Sequence, residues 1–479
     1  MSAPLAEALL AAPAAQHLGE AAGGADAWIV GGAVRDAVAQ RPVVDLDLAV
    51  AAGEPEVARR LAAATGGFAF ELSAEFGTWR VVSADRSWHV DVTRLRGDRI
   101  EDDLAGRDFT VNALAVPVAD PGGQPLDPFG GIADVEARRL RAVSPRSFED
   151  DPLRLLRAAR LGAELGFELE PETIKLARSS AGRAGEPAGE RQLAELRLLI
   201  ASPDPVAGLR LLDDLEATAG VLPELAALRG VEQNPNHHLD VHGHTIAVLA
   251  NLLEVEHDLD LYAGEAAPAV RALLAEPLAD GFTRGVALRF GAIVHDSGKP
   301  ATRQEREGGF VSFIGHDREG TTVVRGLAER LKASRALSRH LEHLTLHHLH
   351  LGFMASQRPL ERRRLYDYLL LTEPVAADVT LLTVADRLSA RGSGPTASPE
   401  MIEAHLQLAR EVLPEALAWH LEGGPRAPIA GDELAAAIGI EPGPELGRLL
   451  AEIEAAVFTG EVETAEQAVE CANRLRAHG

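Results

Sequence analysis

The spacing of apolar residues changes once along the chain, near residue 145. Before this point, short runs rich in β-branched and aromatic residues stand between Gly, Asp and Ser turns, which is typical of strands. The predicted strands are 44–50, 68–73, 78–83, 88–95 and 110–118, with a helix predicted at 54–65. From Asp151 onward, Leu, Ala and Arg recur at helical spacing. The pattern predicts an α/β N-terminal part followed by an all-α remainder.

Breaks in the periodicity suggest where domains end. They fall at 145–150, in the polar stretch VEQNPNHHLDVHGH (231–244), and in RGSGPTASPE (391–400). At 479 residues the chain is too long for one typical core. We therefore predict four domains, at 1–145, 146–230, 231–395 and 396–479.

Composition limits the functional classes. A single cysteine, Cys471, excludes an intramolecular disulfide framework. The first residues carry no basic leader and no apolar run reaches the roughly 20 residues that span a bilayer, so we expect a soluble cytoplasmic protein. The net charge of −25 argues at face value against a nucleic-acid partner. One basic segment, RPLERRRL (358–365), is either a binding patch or a solvated helix face.

Two aspartates alternate in the predicted strand VVDLDLAV (43–50). Residues i and i+2 of a strand share a face, so Asp45 and Asp47 point together while Leu46 points into the core. A divalent cation would relieve the repulsion between the two carboxylates, and Mg²⁺ prefers such oxygen ligands. The preceding Gly31 and Gly32 open a predicted helix whose N-terminus favours phosphate. The chemistry predicted here is metal-assisted phosphoryl or nucleotidyl transfer.

A third carboxylate, Asp91, stands at a similar strand position in WHVDVT (88–93). It is either a further member of the acidic cluster or a solvated strand residue, and the sequence leaves both interpretations open.

Several segments in fixed order resemble the family of class II tRNA nucleotidyltransferases (CCA-adding enzymes) and bacterial poly(A) polymerases. They are GGAVRD (31–36), DLDLAV (45–50), GRDFTVNALA (106–115), DPFGGIADVEARRLRAV (127–143), DDPLRLLRAARLGAELGF (150–167) and AGERQLAELRLLI (188–200). The resemblance implies an α/β nucleotidyltransferase head with a small mixed β-sheet, followed by an all-α neck, body and tail.

The resemblance also assigns residues to roles. Asp45 and Asp47 become the catalytic carboxylates and Mg²⁺ ligands, and Asp36 braces the phosphate loop. The implied nucleotide-binding residues are Gly31, Gly32, Arg35, Arg107, Asp108, Asn112, Asp150, Asp151, Arg154 and Arg157. Asp151 and Arg154 would read the base edge, with Asp150 where Glu is more usual. Gly106 stands where the family has an arginine, a departure that bears on one phosphate or ribose contact.

One segment is short. Only RGDRIEDDLAG (96–106) separates the strand at 88–95 from the ribose-reading motif, where complete CCA-adding members commonly carry some twenty flexible residues. This length is similar to that of CC-adding members and of some poly(A)-type members, so it bears on which nucleotide is added.

Histidines and aspartates recur through the helical half, in segments similar to the HD phosphohydrolase superfamily. The segments are DVHGHT (240–245), IVHDSGKP (293–300), GHDREG (315–320), HLTLHHLH (343–350) and VADRLSARG (384–392). The similarity implies a divalent metal site, of unassigned metal, formed by His244, His295, Asp296 and Asp386. A second ion or a phosphate would be held by His316 with either His347 or His348. Lys299 would meet a phosphate or cap a helix.

The tail, 428–464, is similar to the segment that helps family members hold tRNA. The leading hypothesis is template-independent transfer of CMP, AMP or both from CTP and ATP to a tRNA 3′ terminus, with an RNA 3′ end as partner. The alternatives are a poly(A) polymerase and a protein whose dominant activity is that of the HD phosphohydrolase or phosphodiesterase.

Overall fold

The computed structural model describes residues 2–73, 77–306, 310–355, 357–394 and 397–478. The chain forms two compact units, the first ending at Val221 and the second beginning at Leu222. The finer division into four domains stays a prediction.

A six-stranded mixed sheet organises the first half of unit 1. Its strands are β1 (Ala27–Val30), β2 (Leu46–Val50), β3 (Phe68–Ser73), β4 (Thr78–Val82), β5 (His89–Arg94) and β6 (Ala115–Pro117). The strand order is β3-β4-β5-β2-β1-β6, and β2 pairs with β5 in parallel while the other neighbours are antiparallel. One face of the sheet packs against helices to form the core, with Leu46, Leu48, Val90 and Val92 at most 2% exposed.

Helices surround and follow the sheet. Those of unit 1 are α1 (Ser2–Leu10), α2 (Leu18–Ala22), α3 (Gly32–Val38), α4 (Glu54–Thr65), α5 (Ile100–Ala105), α6 (Gly131–Glu136), α7 (Ser147–Asp150), α8 (Leu153–Leu165), α9 (Pro171–Ser179), α10 (Gly189–Ala201), α11 (Pro205–Asp214) and α12 (Thr218–Val221). A two-stranded parallel pair, β7 (Arg139–Leu140) and β8 (Glu168–Leu169), joins the head to the helices that follow.

Unit 2 is helical. Its helices are α13 (Pro223–Ala226), α14 (Val241–His257), α15 (Leu259–Ala263), α16 (Ala267–Ala275), α17 (Arg284–Val294), α18 (Lys299–Thr302), α19 (His316–Arg330), α20 (Arg335–His347), α21 (His350–Met354), α22 (Arg362–Thr372), α23 (Ala376–Ser389), α24 (Pro399–Glu422), α25 (Gly431–Ile438), α26 (Pro444–Thr459) and α27 (Ala465–His478). Two short antiparallel pairs interrupt them, β9 (Pro277–Ala279) with β10 (Phe282–Thr283) and β11 (Gln304–Arg306) with β12 (Phe310–Ser312).

The sequence prediction of an α/β head and a helical remainder is confirmed, with two corrections. The predicted strand 110–118 contains only β6, because Thr110–Asn112 forms a 3₁₀ turn. The remainder is not purely α, since β8 and the two short pairs of unit 2 lie within it.

Among the described residues no single helix has the length and apolar composition of a membrane span. The pair α22 and α23 meets both criteria only when taken together, with an angle of 100° between the two helices.

Candidate active site

The two predicted catalytic aspartates lie at the start of β2, in the middle of the sheet. Asp47 stands in register with Asp91 on the parallel neighbour β5 and with Val30 on β1. Asp45 immediately precedes the strand. Because alternate residues share a face, Asp45, Asp47 and Asp91 lie on the face opposite the buried Leu46 and Leu48.

The three carboxylates have different neighbours. His89 holds Asp45, whose Oδ1 lies 2.9 Å from the His89 Nδ1 and accepts a hydrogen bond from the His89 backbone N–H at 3.2 Å. Arg80 on β4 binds both oxygens of Asp91, each at 2.7 Å. The structure therefore places Asp91 beside the pair but already neutralised by a guanidinium.

The pKa of the Asp47 carboxyl is raised. The main cause is desolvation by the surrounding protein, and the negative charges of Asp91 and Asp45 add to it, whereas the positive charge of Arg107 opposes it. Its side chain is nevertheless open to solvent at the floor of a cleft. Carboxylate oxygens clustered in this way are the ligands that a divalent ion such as Mg²⁺ prefers.

The loop between β1 and α3 brings the backbone close to this cluster. Gly31 has φ +73°, and a Cβ there would lie 2.7 Å from the Arg107 Nη1 and 3.5 Å from an Asp47 oxygen. Only glycine allows this conformation together with this approach. Gly32 then begins α3, and both glycines line the cleft, where the N-terminus of the helix favours an anion.

Arg35 and Asp36 form the framework behind the loop. The buried Arg35 guanidinium donates to both oxygens of Asp36, at 3.0 and 2.9 Å, and to the Asn112 Oδ1 at 2.8 Å. Asn112 in turn donates from Nδ2 to Asp108 at 3.0 Å. Arg35 lines the cavity, but these bonds already engage its guanidinium.

A buried ionic network links the ribose-reading segment to α8 and α10. Arg157 donates from Nη2 to Asp108 at 2.6 Å and from Nη1 to Glu195 at 2.8 Å, and Arg160 donates to the second Glu195 oxygen at 2.6 Å. Burial alone would raise the pKa of Asp108, but Arg157, Asn112 and the Phe109 N–H hold it well below its usual range. Asp108 is therefore an anion held in fixed orientation.

The base-reading pair predicted from the sequence meets at the start of α8. Asp151 accepts from the Leu153 N–H at 3.2 Å and from the Arg191 Nη2 at 2.7 Å. Arg154 donates to the Ser147 and Gly106 carbonyls. Both side chains line the same cavity as Asp47, whereas Asp150 is exposed, pairs with Arg146 at 3.1 Å and lies outside that cavity.

Asp47 and the predicted nucleotide-binding residues other than Asp150 line one cavity of about 650 Å³ within unit 1, a typical volume for a small-ligand site. Asp45 and Asp91 stand beside Asp47 but are not among the lining residues. Its arginines are Arg35, Arg96, Arg107, Arg154, Arg157, Arg160 and Arg191. Its acidic residues are Asp47, Asp103, Asp108, Asp151 and Glu195. The cavity thus has a local excess of positive charge in a chain whose net charge is −25.

Sequence reasoning missed some of these lining residues. Arg191 and Glu195 lie one helical turn apart in AGERQLAELRLLI, a spacing that puts them on one helix face. Arg96 and Asp103 belong to the short segment 96–106, where a turn leads directly into α5. The Arg96 Nη1 donates to the Gly106 carbonyl at 3.0 Å, and a Cβ at Gly106 would lie 3.4 Å from Arg96. Arg96 therefore occupies space that the missing side chain at position 106 leaves.

Unit 2 contains a second cluster, which we call the histidine–aspartate site. It comprises two groups of potential metal ligands, His244 with His295 and Asp386, and Asp296 with His316 and His348. Asp296 lies between them: its Oδ2 is 3.5 Å from the His244 Nε2 and 3.2 Å from the His295 Nε2, and its Oδ1 is 3.4 Å from the His316 Nε2. The arrangement fits two ions sharing one carboxylate.

Backbone carbonyls orient three of the rings. The Nδ1 atoms of His295, His316 and His348 lie 2.9, 2.7 and 2.6 Å from the carbonyls of the residues three positions earlier. A carbonyl only accepts, so each Nδ1 carries the proton and each Nε2 lone pair is left for a ligand. This is the usual support of metal-binding histidines.

The remaining histidine alternatives are resolved by geometry. His348 lies in the site, whereas His347 packs between His343 and His350, at ring distances of 5.7 and 5.2 Å. Lys299 is buried, with its Nζ 2.7 Å from Asp296 and 2.8 Å from the Gln233 Oε1.

The basic segment 358–365 is not a free cationic patch. Arg358 pairs with Glu411, Arg362 pairs with Glu415 and lies over the Phe458 ring, and Arg363 pairs with Glu452. The solvated-helix interpretation therefore fits, with the addition that acidic residues of α24 and α26 neutralise it.

Four family models match this chain in sequence order. They are the poly(A) polymerase head domain at 27–141, the RNA- and SrmB-binding site of polymerase A at 166–228, the HD domain at 241–391, and the tRNA nucleotidyltransferase domain 2 at 428–472.

Curated relatives cover almost the whole chain. An A-adding tRNA nucleotidyltransferase of Deinococcus radiodurans is 36% identical, over 92% of this chain and 94% of its own length. A CC-adding tRNA nucleotidyltransferase of Thermus thermophilus is 32% identical, over 92% of each chain.

Solved structures share the fold. The CCA-adding enzyme of Bacillus stearothermophilus in complex with CTP matches with a TM-score of 0.62 at 24% identity, over all of this chain and 99% of that one. The Thermotoga maritima CCA-adding enzyme complexed with tRNA matches with a TM-score of 0.59 at 19% identity, over 96% and 94% of the two chains.

Proposed function

Because the chain belongs to the tRNA nucleotidyltransferase family, we propose that it transfers CMP or AMP from CTP or ATP to the 3′ terminus of tRNA without a template. The observation that carries the proposal is the single cavity in which Asp47, the Gly31 loop and the base-reading pair meet. Phosphate, ribose and base could each be held there by a different group of residues.

We assign the metal site of the head to Asp45 and Asp47, with Mg²⁺ as the ion. Bound there, Mg²⁺ would activate the attacking 3′-hydroxyl and neutralise the pyrophosphate leaving group. His89 fixes the orientation of Asp45. Asp91 is not assigned as a ligand, because Arg80 already binds both of its oxygens.

The triphosphate is assigned to the Gly31–Gly32 backbone and Arg107. Arg107 receives support from the buried Asp103, whose Oδ2 accepts from it at 3.1 and 3.0 Å. Arg35 acts through Asp36 and Asn112 as a positioning residue. Asp108, oriented by Arg157, accepts from a ribose hydroxyl.

The base is assigned to Asp151 and Arg154, since a carboxylate accepts and a guanidinium donates at the edges of cytosine and adenine. Asp150 has no part in this assignment because it lies outside the cavity. The relatives include A-adding, CC-adding and multifunctional CCA proteins, so their names do not select one product. The short segment 96–106 favours a partial rather than a complete CCA addition.

One assay tests the function and the nucleotide. Purified protein is given tRNA ending at the discriminator base, tRNA ending in CC, or a generic RNA, with CTP or ATP supplied separately. Addition of two C residues to the first substrate, or of one A to the second, supports the proposal, whereas long A tails on generic RNA would make the protein a poly(A) polymerase. Asp45→Ala should abolish incorporation, and retained activity would remove the head assignment.

The histidine–aspartate site favours a second activity, a metal-dependent phosphohydrolase or phosphodiesterase. We propose two divalent ions, one for each ligand group, with Asp296 shared. Metal content measured on the holoenzyme should fall from two ions to one in His348→Ala and stay at two in His347→Ala, which removes a neighbouring ring outside the site. Equal loss in both variants would contradict the binuclear assignment.

If the histidine–aspartate site were the dominant activity, replacing His295 and Asp296 would remove all measurable turnover while Asp45 and Asp47 stayed dispensable. The complete cavity in unit 1 favours the opposite outcome, with nucleotide transfer surviving changes in unit 2.

A further inference from the structure

A row of side chains crosses four strands of the sheet on the face that carries Asp47. Strand register aligns Phe70 on β3 with Arg80 on β4, Arg80 with Asp91 on β5, and Asp91 with Asp47 on β2. Side chains in register share a face, so Phe70 lies on the same face as the catalytic carboxylates. The neighbouring row aligns Phe68 with Val82 and then with His89, the residue that holds Asp45.

The outer end of both rows is aromatic and open. Phe68 is 65% exposed and Phe70 46% exposed, whereas Ala69 between them packs on the core side. A solvent-facing pair of phenylalanines is costly to leave uncovered in water, and aromatic faces close to a functional site mark an interaction surface.

The row of side chains begins where the nucleotide cavity ends. That cavity contains Asp47, the Gly31 loop and Thr93 at the end of β5, but not Asp91, Arg80 or Phe70. In in-line transfer the attacking hydroxyl approaches opposite the leaving pyrophosphate, so the acceptor needs a path to Asp47 outside the space of the nucleotide. The row through Asp91, Arg80 and Phe70 offers such a path.

We propose that Phe68 and Phe70 form a stacking platform for the last bases of the single-stranded RNA acceptor. The proposal rests on the proposed nucleotidyltransferase function. Bases stack on aromatic side chains with little regard to sequence, which suits an acceptor whose terminal base changes as it grows. Arg80 removes the repulsion that Asp91 would otherwise exert on an approaching phosphate.

Single-stranded RNA fits this surface better than a protein partner. The row from Phe70 through Arg80 and Asp91 to Asp47 is continuous in register. A flexible strand whose bases stack at Phe70 could therefore extend along it to the catalytic carboxylates. The outer edge of β3 also carries the exposed Glu71, a charge of the kind that discourages strand addition by another chain.

The test compares variants with matched controls. Phe68→Ala/Phe70→Ala should raise the KM for a tRNA acceptor. It should also weaken the binding of that acceptor in the absence of nucleotide, measured by fluorescence anisotropy. Each lost stack should cost about 5- to 150-fold. The KM for CTP or ATP should not change. Phe353→Ala removes a phenylalanine that is also 65% exposed, in unit 2, and should leave both quantities unaltered.

Two further arms separate stacking from other causes. Phe68→Leu/Phe70→Leu keeps the apolar surface without the aromatic face, and it should behave like the alanine variant. An acceptor with abasic terminal nucleotides should bind wild type and the alanine variant equally. The affinity lost by removing the bases and the affinity lost by removing the rings should therefore not add. Additive losses, or full activity of the leucine variant, would overturn the platform.

The failure of each proposal is recognised separately. Wild-type protein that binds acceptor but transfers no nucleotide would refute the proposed function, and the anisotropy comparison would still test the platform. A dimer in solution that dissociates in the alanine variant, with acceptor binding unchanged, would assign the surface to a second copy of the chain and overturn the RNA proposal.

Discussion

Glu195 offers a quantitative test of how the nucleotide cavity is held together. Its carboxylate is 8% exposed and bridges Arg157 and Arg160, at 2.8 and 2.6 Å. Arg157 continues the network to Asp108. Glu195→Ala leaves two guanidinium groups of α8 without the acceptor that fixes them to α10.

The expected cost follows from the burial of the partners. Removing one member of a buried ion pair costs about 3–5 kcal/mol. The Arg157 side chain is 30% exposed to the cavity and keeps Asp108, so water and the second carboxylate recover part of this loss. We expect the free energy of unfolding of unit 1 to fall by about 2–3 kcal/mol, a large share of a typical domain's stability.

Urea denaturation followed by tryptophan fluorescence measures this change, since Trp28, Trp79 and Trp88 belong to unit 1. Glu186→Ala is the matched control, because it removes a carboxylate paired with Arg183 on an exposed surface, where little stability is at stake. The KM for nucleotide should also rise in Glu195→Ala, as Asp108 loses its oriented partner. If the midpoints of the two variants agree, the buried network does not hold α8 against α10.

Three further outcomes are expected. Gly31→Ala should raise the nucleotide KM by about tenfold or more, because a Cβ there meets a guanidinium at 2.7 Å, whereas Gly24→Ala, also at positive φ but with nothing within 4 Å, should leave KM unchanged. Burial lowers the pKa of His340 to about 4 from 6.5, so this group should lower the free energy of unfolding of unit 2 by about 3 kcal/mol as the pH falls from 6.5 to 4. His340→Leu should remove that part of the pH dependence measured by urea denaturation. Asp47→Asn should abolish nucleotide incorporation while Asp91→Asn retains it, and equal loss would make Asp91 a third metal ligand.

Strand periodicity predicted which side chains share a face where the signal is local. The alternation in VVDLDLAV was enough to place Asp45 and Asp47 on one face, and the register of β2 with β5 then brought Asp91 beside them. The sequence left the role of Asp91 open because its partner, Arg80, lies on a different strand. Ion pairing across strands depends on register, which local pattern does not specify.

Helical periodicity was less informative about contacts between elements. Arginine recurs at helical spacing in the segment that forms α8, but Glu195, which binds Arg157 and Arg160, lies 35 residues beyond Arg160. The sequence also could not choose between His347 and His348. They are adjacent at the end of α20, and only the fold shows which of the two rings faces Asp296. Asp150 illustrates the reverse case, since adjacency to Asp151 in the sequence did not bring it into the cavity.

The charge of the chain shows why a whole-molecule sum is a poor guide to the charge at one site. The basic residues of 358–365, the obvious cationic segment, are neutralised by glutamates of neighbouring helices. The arginines that matter are dispersed in the sequence over more than 150 positions and converge only in the folded cavity. A net charge of −25 therefore does not argue against the proposed triphosphate site, because the field at a site depends on nearby charges and solvent screens the distant ones beyond about 10 Å. The proposed platform of Phe68 and Phe70 follows the same reasoning, because base stacking on an aromatic ring is a local contact that does not depend on the net charge of the chain.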